Sequence, residues 1–275
     1  MAEVVAAFGV PHTPFYPALV KREGPQSETA QFYARLKADL VRLRPDVIVE
    51  FSTDHLNTFF FESLPIFAMG VADSFQGPID EPPEVPLYDV PSRPDFAAHL
   101  RAACVAEGFD VALSQKFAVD HSFIVPLHML VPEMSVPVIP VFVSGHVPPL
   151  PSARRCFELG RTIGEAVASW PENLRVVMMG SGSFSLDVFG PLMAPGRSDG
   201  VPDPAWAERI CALMEDGSAD TLLEEATPAR FAKAGNVSGE VLNWIAMLGA
   251  VGGRPASYLL PQLAQGHAYG LWEGR

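Results

Sequence analysis

The segment FSTDHLNTFFF, residues 51–61, places polar groups directly after a strand-like run. The preceding RPDVIVE is β-branched and apolar, which is typical of a buried strand. A plain surface turn needs neither the imidazole of His55 nor the three phenylalanines that follow it. A metal or substrate site would use both, because imidazole ligates metals and aromatic side chains line ligand pockets.

Four of the seven histidines share this context. His12 follows the first strand-like run in GVPHTP, and His55 follows the second. His121 lies in AVDHSFIVP after FDVALSQ, and His146 lies in SGHVPP after VPVIPVFV. A single histidine in such a place is usually a loop residue bonded to the backbone. Four of them favour a shared site, because ligands of open α/β sheets bind at the carboxyl ends of the strands.

A metal held by two histidines and one carboxylate also needs an acidic partner and open coordination positions. The candidate is Glu240 in GNVSGEVLNWIAML, where Ser238 is placed to cap a helix whose first turn contains Glu240. A structural role is the alternative, because the helix macrodipole favours a carboxylate in that turn.

Strand-like runs alternate with helical patterns, which predicts an α/β fold with a central mixed or largely parallel sheet flanked by helices. We expect the site at the carboxyl ends of the strands. We expect one catalytic domain over residues 1–275. The predicted strands are 4–10, 46–51, 66–71, 110–113, 136–143, 175–179 and 256–260. The predicted helices are 29–43, 153–170, 204–215, 219–225 and 239–248. The proline-rich residues 79–94 are interpreted as an ordered excursion over the surface.

Composition excludes several classes of protein. Hydrophobic residues make up 48% of the chain, yet no uncharged apolar stretch is long enough for a membrane span. The net charge of −13 makes nucleic acid and anionic membranes poor partners. The three cysteines are widely spaced, which argues against a disulfide framework and for a reducing, cytoplasmic location.

Taken in order, these segments resemble the class III extradiol ring-cleavage dioxygenases. That family includes protocatechuate 4,5-dioxygenase β subunits, gallate dioxygenases and 2,3-dihydroxyphenylpropionate 1,2-dioxygenases. The likeness covers roughly residues 3–260 and rests on GVPHTP, TDHLNTFFFESLPIFAMG, FAVDHSFIVPL and GNVSGEVLNW. No one of these motifs is very specific, but the ordered set is strong.

The resemblance implies Fe(II) held by His12, His55 and Glu240. It also implies a small aromatic diol and O2 as substrates, and proton transfer through His121. Asp120, which precedes His121, is expected to orient that ring. A homo-oligomer is implied as well, and a separate small α subunit is possible because no such domain is fused to this chain.

The residues expected to contact the substrate follow from the same resemblance. Asn57 and Phe59 lie in the second histidine segment, and the phenylalanines there would wall an aromatic pocket. Ser185 and Leu186 lie in GSGSFSLDV, where the family carries Ser-His. Leucine cannot transfer a proton, so another group has to substitute. His146 is the candidate we place in the site, and His267 is the other histidine that could reach it.

Three hypotheses follow. The first is an active extradiol dioxygenase acting on a catechol or an aminophenol. The second is a metal-binding but catalytically silent subunit of a dioxygenase complex, although a silent copy has little reason to keep all three ligands. The third is a hydrolase using Ser181, Ser183 or Ser185, but GSGSFS departs from the GxSxG elbow.

Overall fold

The computed structural model describes residues 1–190, 193 and 195–274 of the chain. Its strands are β1 (Glu3–Val10), β2 (Val47–Ser52), β3 (Phe67–Gly70), β4 (Ser74–Gly77), β5 (Tyr88–Pro91), β6 (Val111–Ser114), β7 (Val138–Val143), β8 (Arg175–Ser181), β9 (Tyr258–Gln262) and β10 (His267–Glu273). Its helices are α1 (Tyr16–Glu23), α2 (Glu28–Leu43), α3 (Pro94–Ala106), α4 (His121–Leu130), α5 (Ala153–Ser169), α6 (Pro204–Asp216), α7 (Ala219–Glu225), α8 (Pro228–Ala234) and α9 (Val241–Ala250).

Eight of these strands form one mixed sheet in the order β6-β3-β7-β2-β8-β1-β10-β9. The four central strands β7, β2, β8 and β1 are parallel to one another. β3 and β10 flank them in the antiparallel sense, while β4 and β5 form a separate ribbon. Because parallel strands end at the same edge, the turns that follow the central four meet there. The predicted α/β class with a mixed sheet is confirmed.

Helices cover both faces of this sheet, so the central strands are buried on both sides. Every residue of β2 and β7 is buried, which explains their continuous apolar runs. Ala7 and Phe8 are neighbours in β1 but pack into different apolar clusters. The first cluster includes α5 and α9, and the second includes α2 and α4.

A close contact between α5 and α9 fixes the helix that follows Glu240. A Cβ on Gly160 of α5 would lie 1.7 Å from the carbonyl oxygen of Ala246. A Cβ on Gly249 of α9 would lie 1.9 Å from the carbonyl oxygen of Phe157. The two backbones therefore touch directly, and larger residues at either glycine would displace α9 from the sheet.

The predicted strands and long helices correspond to observed ones, with ends shifted by a few residues. β10 was missed, because HAYGLWE is buried along most of its length and shows no clear alternation. His121 was predicted to follow a strand that ends at the same edge as the others. β6 runs opposite to the four central strands, and His121 is instead the first residue of α4.

None of the described helices is long and apolar enough to cross a membrane. All three cysteines are free and buried.

Glu50 lies in the middle of β2 and is fully buried. Neither carboxylate oxygen has a hydrogen-bond partner among the described residues. Its strand neighbours are Pro140 and Met179, which offer it no side-chain donor. Burial therefore raises the pKa of Glu50 well above its usual range.

We expect Glu50→Met to stabilise the protein. The unpaired carboxyl costs about 1–3 kcal/mol even when it is neutral. The unfolded carboxyl ionises above its ordinary pKa while the folded one stays protonated, so wild-type stability falls as the pH rises. The gain in the free energy of unfolding should therefore be larger at pH 8 than at pH 5. Urea unfolding of the metal-free proteins at both pH values measures it.

Glu50→Gln is the matched control for this experiment. It keeps an unpaired polar group of the same size but cannot ionise. It should therefore remove the pH dependence that Glu50 contributes, with a smaller gain in the free energy of unfolding than Glu50→Met gives. Equal wild-type and Glu50→Met stabilities at both pH values would contradict the assignment of a destabilising buried carboxyl.

Candidate metal centre and active site

The imidazoles of three histidines converge on one oxygen of Glu240. The Nε2 atoms of His12, His55 and His146 lie 3.1, 3.3 and 3.0 Å from its Oε1. The ring of His121 lies beside them, with its centroid 4.4 Å from that of His55. The described residues offer two overlapping sets of potential metal ligands, which are His12, His55 and His121 in one and His55, His146 and Glu240 in the other.

Strand ends position the histidines of this cluster. His12, His55 and His146 follow β1, β2 and β7, three of the parallel strands that end at the same edge. Glu240 ends a 3₁₀ turn, Ser238–Glu240, that leads into α9. Ser238 does not cap this turn as the sequence suggested, because its hydroxyl donates to carbonyl oxygens in and after α8.

The turn after β8 holds the other side of Glu240. The backbone N–H of Ser183 donates to Oε2 over 2.7 Å. Gly182 precedes it with φ +142°, and a Cβ there would lie 2.4 Å from Cβ of Glu240. Only glycine combines this conformation with so close an approach. The second carboxylate oxygen is thus held by the backbone, and Oε1 is left facing the imidazoles.

The hydroxyl group of Ser181 sets the tautomer of His12. The Ser181 hydroxyl donates to the carbonyl oxygen of Ser122 over 2.9 Å. Its oxygen is therefore free to accept from Nδ1 of His12, 2.6 Å away. With the proton assigned to Nδ1, Nε2 presents a lone pair toward Glu240. Burial lowers the pKa of His12, although the charge of Glu240 opposes this shift.

Asp120 plays the corresponding part for His55. Its Oδ2 lies 3.3 Å from Nδ1 of His55 and accepts the backbone N–H of His55 over 2.7 Å. The same oxygen accepts from the side-chain amide of Asn57, while Oδ1 accepts from the N–H and hydroxyl of Ser122. Burial opposes ionisation of Asp120, but the hydrogen bond and charge of His55 hold its pKa well below the usual range.

The approach of His12 and His55 to Oε1 of Glu240 requires positive charge, because each neutral ring carries its proton on the Nδ1 held by Ser181 or Asp120. Burial works against that charge on His55, but hydrogen bonds to Asp120 and Glu240 raise its pKa to about 10. Burial also disfavours the ionised form of Glu240. The charge and hydrogen bonds of the histidines outweigh this effect and hold the pKa of Glu240 well below its usual range. A metal ion replaces the proton in such a site, so metal affinity should fall as the pH is lowered. The donor set of neutral imidazoles and one carboxylate therefore fits a divalent transition metal.

His121 is paired with Asp80, a residue that the sequence analysis missed. One carboxylate oxygen of Asp80 contacts Nδ1 of His121, and the other accepts its backbone N–H over 2.9 Å. Asp80 lies in the proline-rich excursion, which therefore contributes to the site. The expectation that Asp120 orients His121 is corrected: Asp120 contacts His55, and Asp80 takes the place beside His121. Asp120 and His121 are adjacent at the start of α4, and because neighbouring residues of a helix face different sides, their side chains point in different directions.

We expect Asp120→Asn to weaken metal binding by about 10–100-fold, the range seen when outer partners of metal-ligating histidines are lost. Asp120 accepts hydrogen bonds on both oxygens, so the NH₂ group of the introduced asparagine must face a backbone N–H, that of His55 or that of Ser122. His55 then loses its orientation. Anaerobic calorimetric titration with Fe(II) measures the change in affinity.

Asp80→Asn is the matched control, because it disturbs a carboxylate of the other pair. It should lower turnover while leaving metal affinity within a few-fold of wild type. An affinity loss with Asp80→Asn and none with Asp120→Asn would reverse the two assignments.

A cleft of about 210 Å³ opens beside His55 and His146. Its other lining residues are largely apolar, and in the described part of the chain they are Leu56, Val188, Phe189, Gly190, Asn236 and Val237. Apolar walls with a few convergent polar groups are typical of small-molecule sites. Phe189 is 83% exposed, so its ring forms a solvent-facing part of the cleft lining.

The predicted aromatic wall lies elsewhere. Phe59 packs edge-on against Phe142, with ring centroids 4.9 Å apart, and is not among the cleft residues. Phe60 and Phe61 are 54% and 69% exposed. The amide of Asn57 is engaged by Asp120. The structure thus gives this segment one residue at the centre, His55, and places its other predicted contacts outside the cleft lining.

Ser185 and Leu186, the two residues of GSGSFSLDV expected to contact the substrate, support the backbone instead. The Ser185 hydroxyl donates to the carbonyl oxygen of Ala234 and accepts the N–H of Asp203, each over 2.9 Å, and it is fully buried. Leu186 is half-buried, and a Cβ on Gly235 would lie 2.0 Å from its carbonyl oxygen. Within the described residues, neither Ser185 nor Leu186 lines the cleft.

Of the two histidines considered as substitutes, only His146 reaches Glu240. Nε2 of His267 lies 2.7 Å from the Tyr16 hydroxyl and 3.0 Å from Oε1 of Gln262. Burial lowers the pKa of His267 to about 3, so the ring is neutral. His267 therefore belongs to a buried polar cluster behind His12 and not to the cleft.

Comparison with known proteins identifies the family. The family model described as the catalytic LigB subunit of aromatic ring-opening dioxygenase matches residues 6–267. The chain belongs to this family. The LigB match includes His12, His55, His121, His146 and Glu240, and it confirms the extradiol ring-cleavage dioxygenase predicted from the sequence.

Similar LigB-family proteins include 2,3-dihydroxyphenylpropionate/2,3-dihydroxicinnamic acid 1,2-dioxygenases. The enzyme from Burkholderia vietnamiensis is 30% identical over 287 residues, covering 87% of this chain and 86% of its own length. That from Mycobacterium sp. is 31% identical over 245 residues, covering 75% and 76%. A crystal structure of the uncharacterized protein JW3007 from Escherichia coli K12 covers 98% of this chain and 99% of its own, with a TM-score of 0.61. At 13% identity, that likeness shows the fold alone.

Proposed function

We propose that this LigB-family chain is an Fe(II)-dependent dioxygenase that cleaves a catechol-type or aminophenol-type ring next to its hydroxyl pair. The observation that carries the proposal is the convergence of imidazole nitrogens on one oxygen of Glu240 beside an open cleft. His12, His55 and Glu240 are the proposed ligands. Fe(II), when bound by such a set, keeps open positions, holds both oxygens of a diol and stabilises its anion.

The protein's own groups orient the ring and move its protons. Ser181 and Asp120 hold the ring nitrogens of His12 and His55 that face away from Glu240. His121, held by Asp80, is the proposed proton-transfer group, because the diol must lose protons on binding. The apolar cleft walls would pack against the ring and exclude water, which strengthens the electrostatic interactions inside.

The relatives and Leu186 suggest two classes of substrate. The relatives are named for 2,3-dihydroxyphenylpropionate and the cinnamic acid analogue, so a catechol with a three-carbon acid side chain is the first candidate. Leucine where the family carries histidine favours a second class, namely aminophenols or catechols that bring their own acid or base group. Such a substrate would need one protein group fewer.

Oxygen uptake by anaerobically Fe(II)-loaded protein tests this proposal. The panel is 2,3-dihydroxyphenylpropionate, unsubstituted catechol and aminophenols, with visible absorbance recorded for ring-opened products. We expect uptake with a yellow product on at least one panel member. Zn(II)-loaded protein is the control, because zinc has no redox chemistry and should give no uptake.

No uptake on the whole panel, with iron demonstrably bound, would favour the silent-subunit alternative, for which Leu186 is the specific observation. Self-association, a small α partner and a cytoplasmic location stay predictions. Light scattering of the purified chain measures its oligomeric state directly.

A further inference from the structure

His146 has no counterpart in the two-histidine, one-carboxylate set, yet it occupies the same position relative to Glu240 as the proposed ligands. Its Nε2 is 3.0 Å from Oε1, compared with 3.1 Å for His12 and 3.3 Å for His55. Its side chain is 7% exposed. Its ring centroid lies 4.6 Å from that of His55.

These distances match the edges of a coordination sphere. Metal–nitrogen and metal–oxygen bonds of about 2.0–2.2 Å place neighbouring ligand atoms of an octahedral ion about 3.0 Å apart. All three imidazole nitrogens lie at that spacing from Oε1 of Glu240. We propose that His146 is a fourth protein ligand of the metal, so that the resting site has three histidines and one glutamate. This inference rests on the metal site of the proposed function.

The fourth ligand has a consequence for substrate binding. Six positions less four leaves two, whereas a diol bound through both oxygens and O2 together need three. One protein ligand therefore has to leave, and His146 is the least firmly held. Ser181 and Asp120 contact Nδ1 of His12 and His55, but among the described residues nothing hydrogen-bonds Nδ1 of His146. His146 also lines the cleft through which the substrate enters.

Proton NMR of the Co(II)-loaded protein tests this assignment without relying on turnover. Each ligating imidazole gives strongly shifted ring signals, so we expect three shifted rings in the wild type and two in His146→Gln. Anaerobic catechol alone fills the two remaining positions and should leave three shifted rings, whereas catechol with azide, which stands in for O2 as a third added ligand, should remove one ring from the wild-type spectrum and none from the variant. The Co(II) affinity of His146→Gln should fall at least about tenfold. Loss of a residue that only hydrogen-bonds a ligand costs about 10–100-fold, and loss of a ligand itself should cost no less. His128→Gln, a change near the end of α4, is the control and should keep three rings.

The outcomes separate this inference from the proposed function. Two shifted rings in the wild type, unchanged by catechol, would overturn the fourth ligand while the metal site stands. No Co(II) binding at all would overturn both. If His146→Gln does not fold, the spectrum of His121→Gln decides the matter: three shifted rings support His146 as the third imidazole ligand, and two would assign that place to His121 and overturn the inference.

Discussion

Glu240→Gln is expected to abolish ring cleavage and to lower metal affinity by more than about 100-fold, in a chain that still folds. The loss should exceed the 10–100-fold known for outer partners, because Glu240 is the only carboxylate among the described residues that all three imidazoles contact. Glutamine has the same size, and its carbonyl oxygen can still accept the N–H of Ser183. Its NH₂ group, however, has no lone pair to offer a metal. Anaerobic Fe(II) titration and oxygen uptake measure the two effects.

Glu158→Gln is the matched control for this change. Glu158 lies on α5, where its carboxylate pairs with Arg161, so its loss should leave affinity and turnover unchanged. Thermal unfolding of the metal-free proteins tests whether Glu240→Gln still folds. Undiminished metal binding by a folded Glu240→Gln would point to the other set of potential ligands, His12, His55 and His121, as the metal site.

His121→Gln is expected to lower turnover by about 10²–10⁴-fold while metal affinity stays within a few-fold of wild type. This is the range for loss of a general acid–base group. Asp80 holds Nδ1 of His121, which leaves Nε2 to face the cluster of imidazoles. Single-turnover kinetics with a catechol under a fixed oxygen pressure measure the loss in the chemical step.

His128→Gln serves as the control for His121→Gln as well, since both residues lie on α4 about two turns apart. A loss of metal affinity in His121→Gln that matches its loss of turnover would contradict the proton-transfer role and make His121 a ligand. Together, the two substitutions therefore decide whether Glu240 or His121 is a ligand of the metal.

The missing family histidine and the additional imidazole belong to different parts of the site. Among the described residues, Leu186 does not line the cleft, whereas His146 lines it and contacts Glu240. A Leu186→His change would therefore not duplicate His146. Under the proposals above, Leu186 bears on proton transfer, and His146 bears on the number of positions left open for substrate.

The sequence by itself determined the fold class and the family, and it named the histidines and the glutamate that the structure brings together. Apolar β-branched runs, each followed by a turn with a histidine, are local signals, and the parallel strands carry those turns to one edge. His12, His55 and His146 could be named for this reason, whereas Glu240 was named from the helix start in GNVSGEVLNW and from the family resemblance. The sequence did not determine β10, because a strand buried on both faces lacks alternation.

Only the tertiary structure decided which groups hold these residues. Asp80 meets His121 across 41 residues, Ser181 meets His12 across 169, and Glu240 meets His12 across 228. Such pairings depend on strand order and on the path of the proline-rich excursion, which no local pattern encodes. Adjacent residues misled for the same reason: Asp120 and His121 are neighbours in the chain, but the start of a helix turns their side chains toward different partners.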